Sequence, residues 1–66
     1  MDIDKLRALS DPELDQALAD AKRDLRQARF ELSTRQLKDY SVISRTRRTI
    51  ARILTVQRER MLATNA

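Results

Sequence analysis

The sequence lacks several residue types on which catalysis and covalent cross-linking depend. Its 66 residues include no Gly, His, Cys or Trp, and one Pro. Without Cys there is no disulfide or thiolate metal site, and without Gly or His there is neither a phosphate-cradling loop nor the commonest general base. Asp20, Asp24 and Glu31 share a helix flank, which is a solvated surface or, far less often, a metal or catalytic site. We therefore predict no enzyme activity, catalytic residue, metal, cofactor or small-molecule substrate.

Long hydrophobic runs are missing as well. No apolar stretch approaches the roughly 20 residues that cross a bilayer, and the segment Met1–Asp4 is acidic where a signal peptide is basic. We expect a cytoplasmic protein without a membrane partner. A helix lying on an anionic membrane is a weak alternative, because that mode favours Lys and several aromatic residues, whereas eleven of the fourteen basic residues are Arg and Phe occurs once.

Charge is distributed unevenly along the chain. Residues 1–20 hold six acidic and two basic residues, a net −4, and residues 21–66 hold twelve basic and four acidic residues, a net +8. We expect the basic part to lie near a polyanion and the acidic part away from it. A chain of 66 residues forms at most one domain, here residues 1–66, and that domain has little stability to spare outside an assembly.

With no Gly and one Pro, almost nothing interrupts a helix, so the chain is predicted to be all-α. The pattern indicates a short helix at about residues 2–9 and long helices at about 11–35 and 40–63. Ser10 begins a capping box with a proline in the first turn, and Asp39 is a candidate N-cap for the last helix. Because the connection between the long helices is short, we predict a long antiparallel two-helix hairpin, resembling a coiled coil.

Two apolar stripes define the expected contact between the long helices. The first follows heptad spacing and comprises Leu14, Leu18, Ala21, Leu25, Ala28 and Leu32. The second is expected to comprise Ile43, Ile50, Leu54, Gln57 and Met61. Leu37 is placed to plug the open end of the hairpin. An alternative use of the first stripe is a coiled-coil protein–protein interaction module that dimerises or docks on another protein.

Four arginines fall within eight residues of the last helix. At about 100° per residue, Arg45, Arg48 and Arg52 share one side of that helix, with Ser41, Ser44 and Thr55 beside them in the same stripe. No acidic residue lies three or four positions after Arg45 or Arg48, so the helix offers them no such partner. A solvated basic face is the alternative, but an external polyanion such as RNA explains the pattern better.

Two aromatic residues lie close to basic ones. Phe30 is expected opposite the first apolar stripe, on a flank with Arg23 and Arg26, where it stacks on a base, packs on a neighbouring protein, or lies under the short N-terminal helix. Tyr40, near Lys38 at the hairpin tip, either stacks on RNA or caps the loop. The sequence leaves these alternatives open.

Several segments together resemble the bacterial large-ribosomal-subunit protein twenty-nine family: residues 25–30, Gln36-Leu37, residues 47–55 and Glu59-Arg60. This resemblance implies an α-hairpin and a structural role in the ribosome during translation. It implies binding to 23S rRNA near the exit of the nascent-peptide tunnel, beside large-subunit protein twenty-three. It also implies proximity to chaperone or targeting factors that act on emerging chains.

The resemblance implies site residues wherever the motif matches. The arginine stripe of the last helix and the tip of the hairpin supply the other candidates. The candidate rRNA-binding residues are Arg29, Phe30, Gln36, Lys38, Tyr40, Ser41, Ser44, Arg45, Arg47, Arg48, Arg52 and Thr55. One departure is Arg35, which stands where the family commonly has Gly. A Gly there would end the helix with positive φ, so with Arg35 the first long helix either continues further or ends in a strained turn.

Overall fold

The computed structural model describes residues 3–36 and 38–65, and these form three α-helices. They are α1 (Ile3–Arg7), α2 (Asp11–Ser33) and α3 (Ser41–Asn65). The long helices α2 and α3 pack side by side and α1 packs on α3, giving an elongated molecule of 47 × 17 × 16 Å. The predicted all-α hairpin with a short N-terminal helix is therefore confirmed. Within the described ranges, no helix is both long and apolar enough to cross a membrane.

The starts of both long helices are fixed by side-chain caps. Ser10 Oγ accepts the backbone N–H of Glu13 at 3.3 Å, and the Glu13 carboxylate accepts the backbone N–H of Ser10 at 3.4 Å. This is the predicted capping box. Before α3, Asp39 Oδ1 accepts the backbone N–H of Ser41 at 3.0 Å, so Asp39 satisfies a donor that the first turn leaves without a helical partner.

The end of α2 is a turn that requires a left-handed residue. Arg35 has φ 61°, its N–H donates to Leu32 O at 3.1 Å, and the Gln36 N–H donates to Glu31 O at 2.7 Å. These two bonds form a Schellman motif, in which Gly normally occupies the position of Arg35. Of the two expected outcomes, the strained turn is the one found, and α2 ends at Ser33 rather than near residue 35. Asp2 and Leu37, which the predicted short helix and plug included, lie outside the described residues.

The hydrophobic core lies at the end of the hairpin away from the turn. It is built from Leu6, Leu14, Ala21, Ile53 and Val56, so all three helices contribute to it. Along α2, Leu14, Ala21 and Ala28 are buried, whereas Leu32 near the turn is 37% exposed. The predicted α2 stripe therefore faces α3, and its packing becomes thinner toward the turn.

The predicted stripe of α3 is displaced by about a quarter of a turn from the buried one, although its member Ile50 packs against the core. Ile53 and Val56 are the fully buried residues, while Leu54 and Met61, which were expected at the contact, are 47% and 64% exposed. The inward-facing stripe includes polar residues that are partly buried, so selection by hydrophobicity alone favours the neighbouring stripe. Its members, spaced four and three apart, are Val42, Thr46, Thr49, Ile53, Val56 and Arg60. Packing of α1 on α3 explains the choice, because Leu6 joins Ile53 and Val56 in one cluster.

Candidate nucleic-acid interface

The fold converts the uneven charge of the sequence into a charge difference along the molecule. We call residues 22–52 the tip half, and residues 3–21 with 53–65 the base half. The tip half carries ten Lys and Arg against three Asp and Glu, a net +7, whereas the base half carries four against six, a net −2. Because α3 crosses both halves, its basic first part joins the basic second part of α2 in the tip half.

The predicted site residues lie in the tip half except for Thr55, and most are exposed. The exposed ones are Arg29, Phe30, Gln36, Lys38, Tyr40, Ser41, Ser44, Arg45, Arg47, Arg48 and Thr55. Arg52 is partly buried, so it is less outward-facing than its place in the stripe indicated. The structure thus brings all of the predicted residues except Thr55 to one half of the molecule, distributed over the turn and both long helices.

Arg45 has a partner that helix spacing did not reveal. Its guanidinium lies 3.4 Å from Asp39 Oδ2, six residues earlier and before the start of α3. Hydrogen bonds from the Ser41 side chain and backbone, followed by the charge of Arg45, lower the pKa of Asp39. Since both side chains of the ion pair are more than half exposed, solvent weakens this pair. A phosphate group can therefore compete for Arg45 at little cost.

Two of the predicted hydroxyl donors are already used inside the protein. Ser41 Oγ donates to Asp39 Oδ1 at 2.6 Å and Thr55 Oγ1 donates to Ala51 O at 2.8 Å. Each of these oxygens retains the capacity to accept a hydrogen bond, but a phosphate offers only acceptors. The arginines, rather than these hydroxyls, are thus the groups suited to an anion. Arg29, Arg47 and Arg48 suit it best, because all three are exposed and none forms a salt bridge within the described residues.

Both aromatic residues are on the surface. Phe30 is 59% exposed and Tyr40 is 67% exposed. The alternative that Phe30 lies under the N-terminal helix is wrong, because α1 packs on α3 around Leu6. For Phe30, stacking on a base and packing on a neighbouring protein remain as alternatives. Tyr40 lies beside the N-terminus of α3 with its ring in solvent.

Four further basic residues of the tip half were not among the predicted site residues. They are Lys22, Arg23, Arg26 and Arg35, and all are exposed. Counting charge on every face of the predicted hairpin, rather than on the stripe of the last helix alone, would have found them. The acidic flank of α2 is used locally: Asp20 accepts from Gln16 at 2.9 Å, and Glu31 from Gln27 at 3.1 Å. Among the described residues, no group of His, Cys, Asp or Glu is arranged to hold a metal ion.

Fold and surface together define a class, that of small helical hairpin proteins with their positive charge concentrated at one end. Comparison with known families then identifies the particular one, since residues 4–60 match the family described as Ribosomal L29 protein. The chain belongs to this family of ribosomal proteins. Its resemblance to the family, first indicated by the segments around Phe30 and Arg48, is confirmed.

Curated relatives agree with this assignment. The chain is 48% identical over 62 residues to large ribosomal subunit protein uL29 of Dehalococcoides mccartyi, covering 94% of this chain and 95% of that protein. Against the protein of the same name from Thermotoga maritima it is 47% identical over 62 residues, covering 94% of each. Against the protein of the same name from Synechococcus elongatus it is 43% identical over 58 residues, covering 88% of this chain and 91% of that protein. No solved structure gave a significant match.

Proposed function

We propose that this protein is a structural constituent of the large ribosomal subunit, in the cytoplasm, and that it binds 23S rRNA through its tip half near the exit of the nascent-peptide tunnel. It performs no catalysis. Large-subunit protein twenty-three is the proposed neighbour, and chaperone or targeting factors are proposed visitors. Family membership supports the ribosomal role, because the relatives at 43–48% identity are named as large-subunit proteins.

The observation that carries the RNA-binding proposal is the charge of the tip half. That half carries ten cationic side chains and three carboxylates. The ion pair between Arg45 and Asp39 lies within it and is exposed to solvent. A surface with this excess of positive charge binds a polyanion by releasing its condensed counterions. The predominance of Arg favours forked hydrogen bonds to phosphate oxygens.

Contacts of this kind position a protein on folded RNA without reading its sequence. Long, exposed Arg side chains on a helix reach phosphates and the shallow minor groove of an RNA helix, whereas the deep major groove is closed to them. The tip half offers one amide side chain at its turn, Gln36, and mainly guanidinium groups elsewhere. We therefore expect recognition by shape and phosphate spacing.

A coiled-coil interaction module would need the α2 stripe as a free surface, and this stripe packs against α3 instead. Leu14, Ala21 and Ala28 of the α2 stripe are buried within the same chain, so this stripe is not available to a second molecule while the hairpin is folded. Opening the hairpin would expose the core residues Ile53 and Val56 as well. This burial argues against dimerisation through the α2 stripe.

The test is binding of the purified protein to the 5′ domain of large-subunit rRNA across a salt series, with excess transfer RNA as competitor. The double variant Arg47→Ala and Arg48→Ala should bind about tenfold more weakly and lower the slope of log affinity against log salt by about 2, because each removes about one phosphate contact. Both side chains are exposed, so helicity measured by circular dichroism should stay unchanged.

A matched control removes the same amount of charge from the base half. Lys5→Ala with Arg58→Ala also deletes two exposed cations that lie on helices and form no salt bridge among the described residues. This variant should bind within about twofold of the parent protein, since the loss of distant charge is screened by salt. Equal weakening of both double variants would show that affinity follows total charge and would reject the tip half as the binding surface.

A further inference from the structure

The aromatic side chain of Phe30 lies mostly in solvent. It is 59% exposed, and it lies two residues after Ala28, which is only 3% exposed. Two helical positions are about 200° apart, so Phe30 points away from α3, on the outer face of α2. A phenyl ring in this position leaves apolar surface in water, which burial against a ligand would remove.

The neighbours of Phe30 on that face are cations. Arg26 and Arg23 lie four and seven residues earlier, and both are exposed. Helical side chains lean toward the N-terminus, so the ring of Phe30 extends toward Arg26. Arg26 has no salt bridge among the described residues, and Arg23 has a 3.4 Å pair with Asp20 in which its own side chain remains 68% exposed. An aromatic platform beside guanidinium groups is the arrangement that holds an unpaired nucleotide.

This face points away from Ser44 and Arg48 on α3. Because α2 and α3 pack side by side, their outer faces lie on opposite sides of the hairpin, with Phe30 on one and Ser44 and Arg48 on the other. The hairpin is 17 × 16 Å across its short dimensions. A straight RNA helix that lies on Arg48 therefore does not reach Phe30, and a second segment of RNA is needed to contact it.

We propose that the tip half is held between two segments of RNA, one on each side of the hairpin. The outer face of α3 takes the phosphate backbone of one segment. The outer face of α2 takes an unpaired nucleotide of the other, with Phe30 stacked on its base and Arg23 and Arg26 beside its phosphates. This inference rests on the proposed RNA-binding function and adds the second surface and the chemistry of its ligand. The net +7 of the tip half favours RNA over an apolar protein surface as the occupant.

Phe30→Trp tests the stacking directly, since the protein has no Trp of its own. A stacked base quenches indole emission, so fluorescence should fall on addition of the 5′ domain of large-subunit rRNA and saturate with the binding curve measured by anisotropy. Leu62→Trp is the matched control, because Leu62 is equally exposed at 63% but lies in the base half. Its emission should stay constant. Unchanged emission from the Phe30→Trp variant while it binds RNA would overturn the inference and leave RNA binding intact.

A second variant guards against altered binding by the larger indole ring. Phe30→Leu keeps an apolar side chain and the helix but loses the aromatic face, and it should weaken binding by about tenfold. Undiminished affinity would refute stacking. If the parent protein itself fails to bind this RNA, the proposed function and the inference fall together.

The two-sided arrangement is tested by footprinting the same RNA with hydroxyl radicals. Arg26→Ala should reduce protection in one segment, and Arg48→Ala should reduce it in another. Loss of protection in the same segment for both variants would show a single contact surface and reject the arrangement. The parent protein should protect both segments at once.

Discussion

The base half and the tip half of this hairpin are built from the same two long helices, yet they are stabilised differently. In the base half, Leu6, Leu14, Ile53 and Val56 are fully or almost fully buried, and Arg60 reaches Asp11 at 2.7 Å. In the tip half, Ala28 is the one buried hydrophobic residue among those described. One half therefore has a core and internal ion pairs, and the other has mainly cationic surface.

This difference indicates that the base half and the tip half have different roles. Side chains of α3 bind the rest of the protein in the base half: Glu59 accepts from Arg7 at 3.0 Å, and Gln57 donates to Asp15 at 2.9 Å. Cations in the tip half repel one another and have few internal partners, which lowers stability there until an anion is bound. The base half can hold the fold while the tip half remains available to a ligand.

The largest expected effect on stability comes from truncating a core side chain in the base half. Ile53→Ala should lower the free energy of unfolding by about 3 kcal/mol, because it removes a fully buried side chain and leaves a cavity. In a chain of this size that loss leaves much of the population unfolded. Leu32→Ala in the tip half should cost less than about 1 kcal/mol, since Leu32 is already partly exposed. Urea denaturation followed by circular dichroism measures both, and equal losses would contradict the comparison.

A smaller loss is expected at Arg60, which joins all three helices. Its guanidinium donates to the backbone carbonyls of Arg7 and Leu9 and to the carboxylate of Asp11. Arg60→Ala should cost about 1–2 kcal/mol, because it leaves those carbonyls without their donor and removes an ion pair that is partly exposed. Arg58→Ala, an exposed neighbour on the same helix, should change stability by less than about 0.5 kcal/mol. Similar values for the two variants in urea denaturation would argue against this role of Arg60.

A gain is expected at the turn of the tip half. Arg35 holds a left-handed backbone with φ 61°, a conformation that is unfavourable for a residue with a Cβ atom. Arg35→Gly should raise the free energy of unfolding by about 0.5–1 kcal/mol, after the greater freedom of Gly in the unfolded chain is subtracted. Arg35→Ala retains the Cβ atom and should give no such gain. Thermal unfolding of both variants separates relief of strain from loss of charge.

The smallest effect is a dependence on acid. Hydrogen bonding from Arg7 lowers the pKa of Glu59 below its ordinary value. A lowered carboxyl pKa contributes stability above the pKa of the unfolded chain, and that contribution is lost as pH falls through the folded value. Stability should therefore decline as pH falls below about 4.

Glu59→Gln should flatten that decline in a series of urea titrations from pH 7 to pH 3, because the amide does not titrate. Asp39, whose pKa is lowered mainly by hydrogen bonds from Ser41, provides the counterpart in the tip half. Asp39→Asn should leave the contribution of Glu59 in place. A pH profile of the Glu59→Gln variant identical to that of the parent would show that this ion pair does not contribute.

Local rules were sufficient to predict most of the fold. The absence of Gly, the capping box at Ser10 and the heptad spacing of the α2 stripe all depend on near neighbours in the sequence, and the structure agrees with each. The buried face of α3 was not predicted, because it depends on where α1 packs. The stripe containing Thr46 and Arg60 faces inward because Leu6 packs against this side of α3 and because Arg60 donates to the carbonyl of Arg7. Hydrophobicity does not encode either contact.

The candidate site was predictable in its location but incompletely in its members. Arginine spacing indicated the cationic face of α3, and family resemblance added Arg29 and Phe30. The ion pair between Arg45 and Asp39 crosses a helix boundary, so the spacing rules for helices did not include it. Arg23 and Arg26 lie outside the arginine stripe of α3, so that stripe did not indicate them, although the positive charge of residues 21–66 includes them.

The continuous run of α3 through both halves has a mechanical consequence. As a 25-residue helix it is a single rod of about 38 Å. No proline interrupts it, so it has no built-in hinge. A rotation of about 10° about its turn end would displace the opposite end by about 7 Å. Contacts made at the turn therefore also fix the position of the far end of the protein.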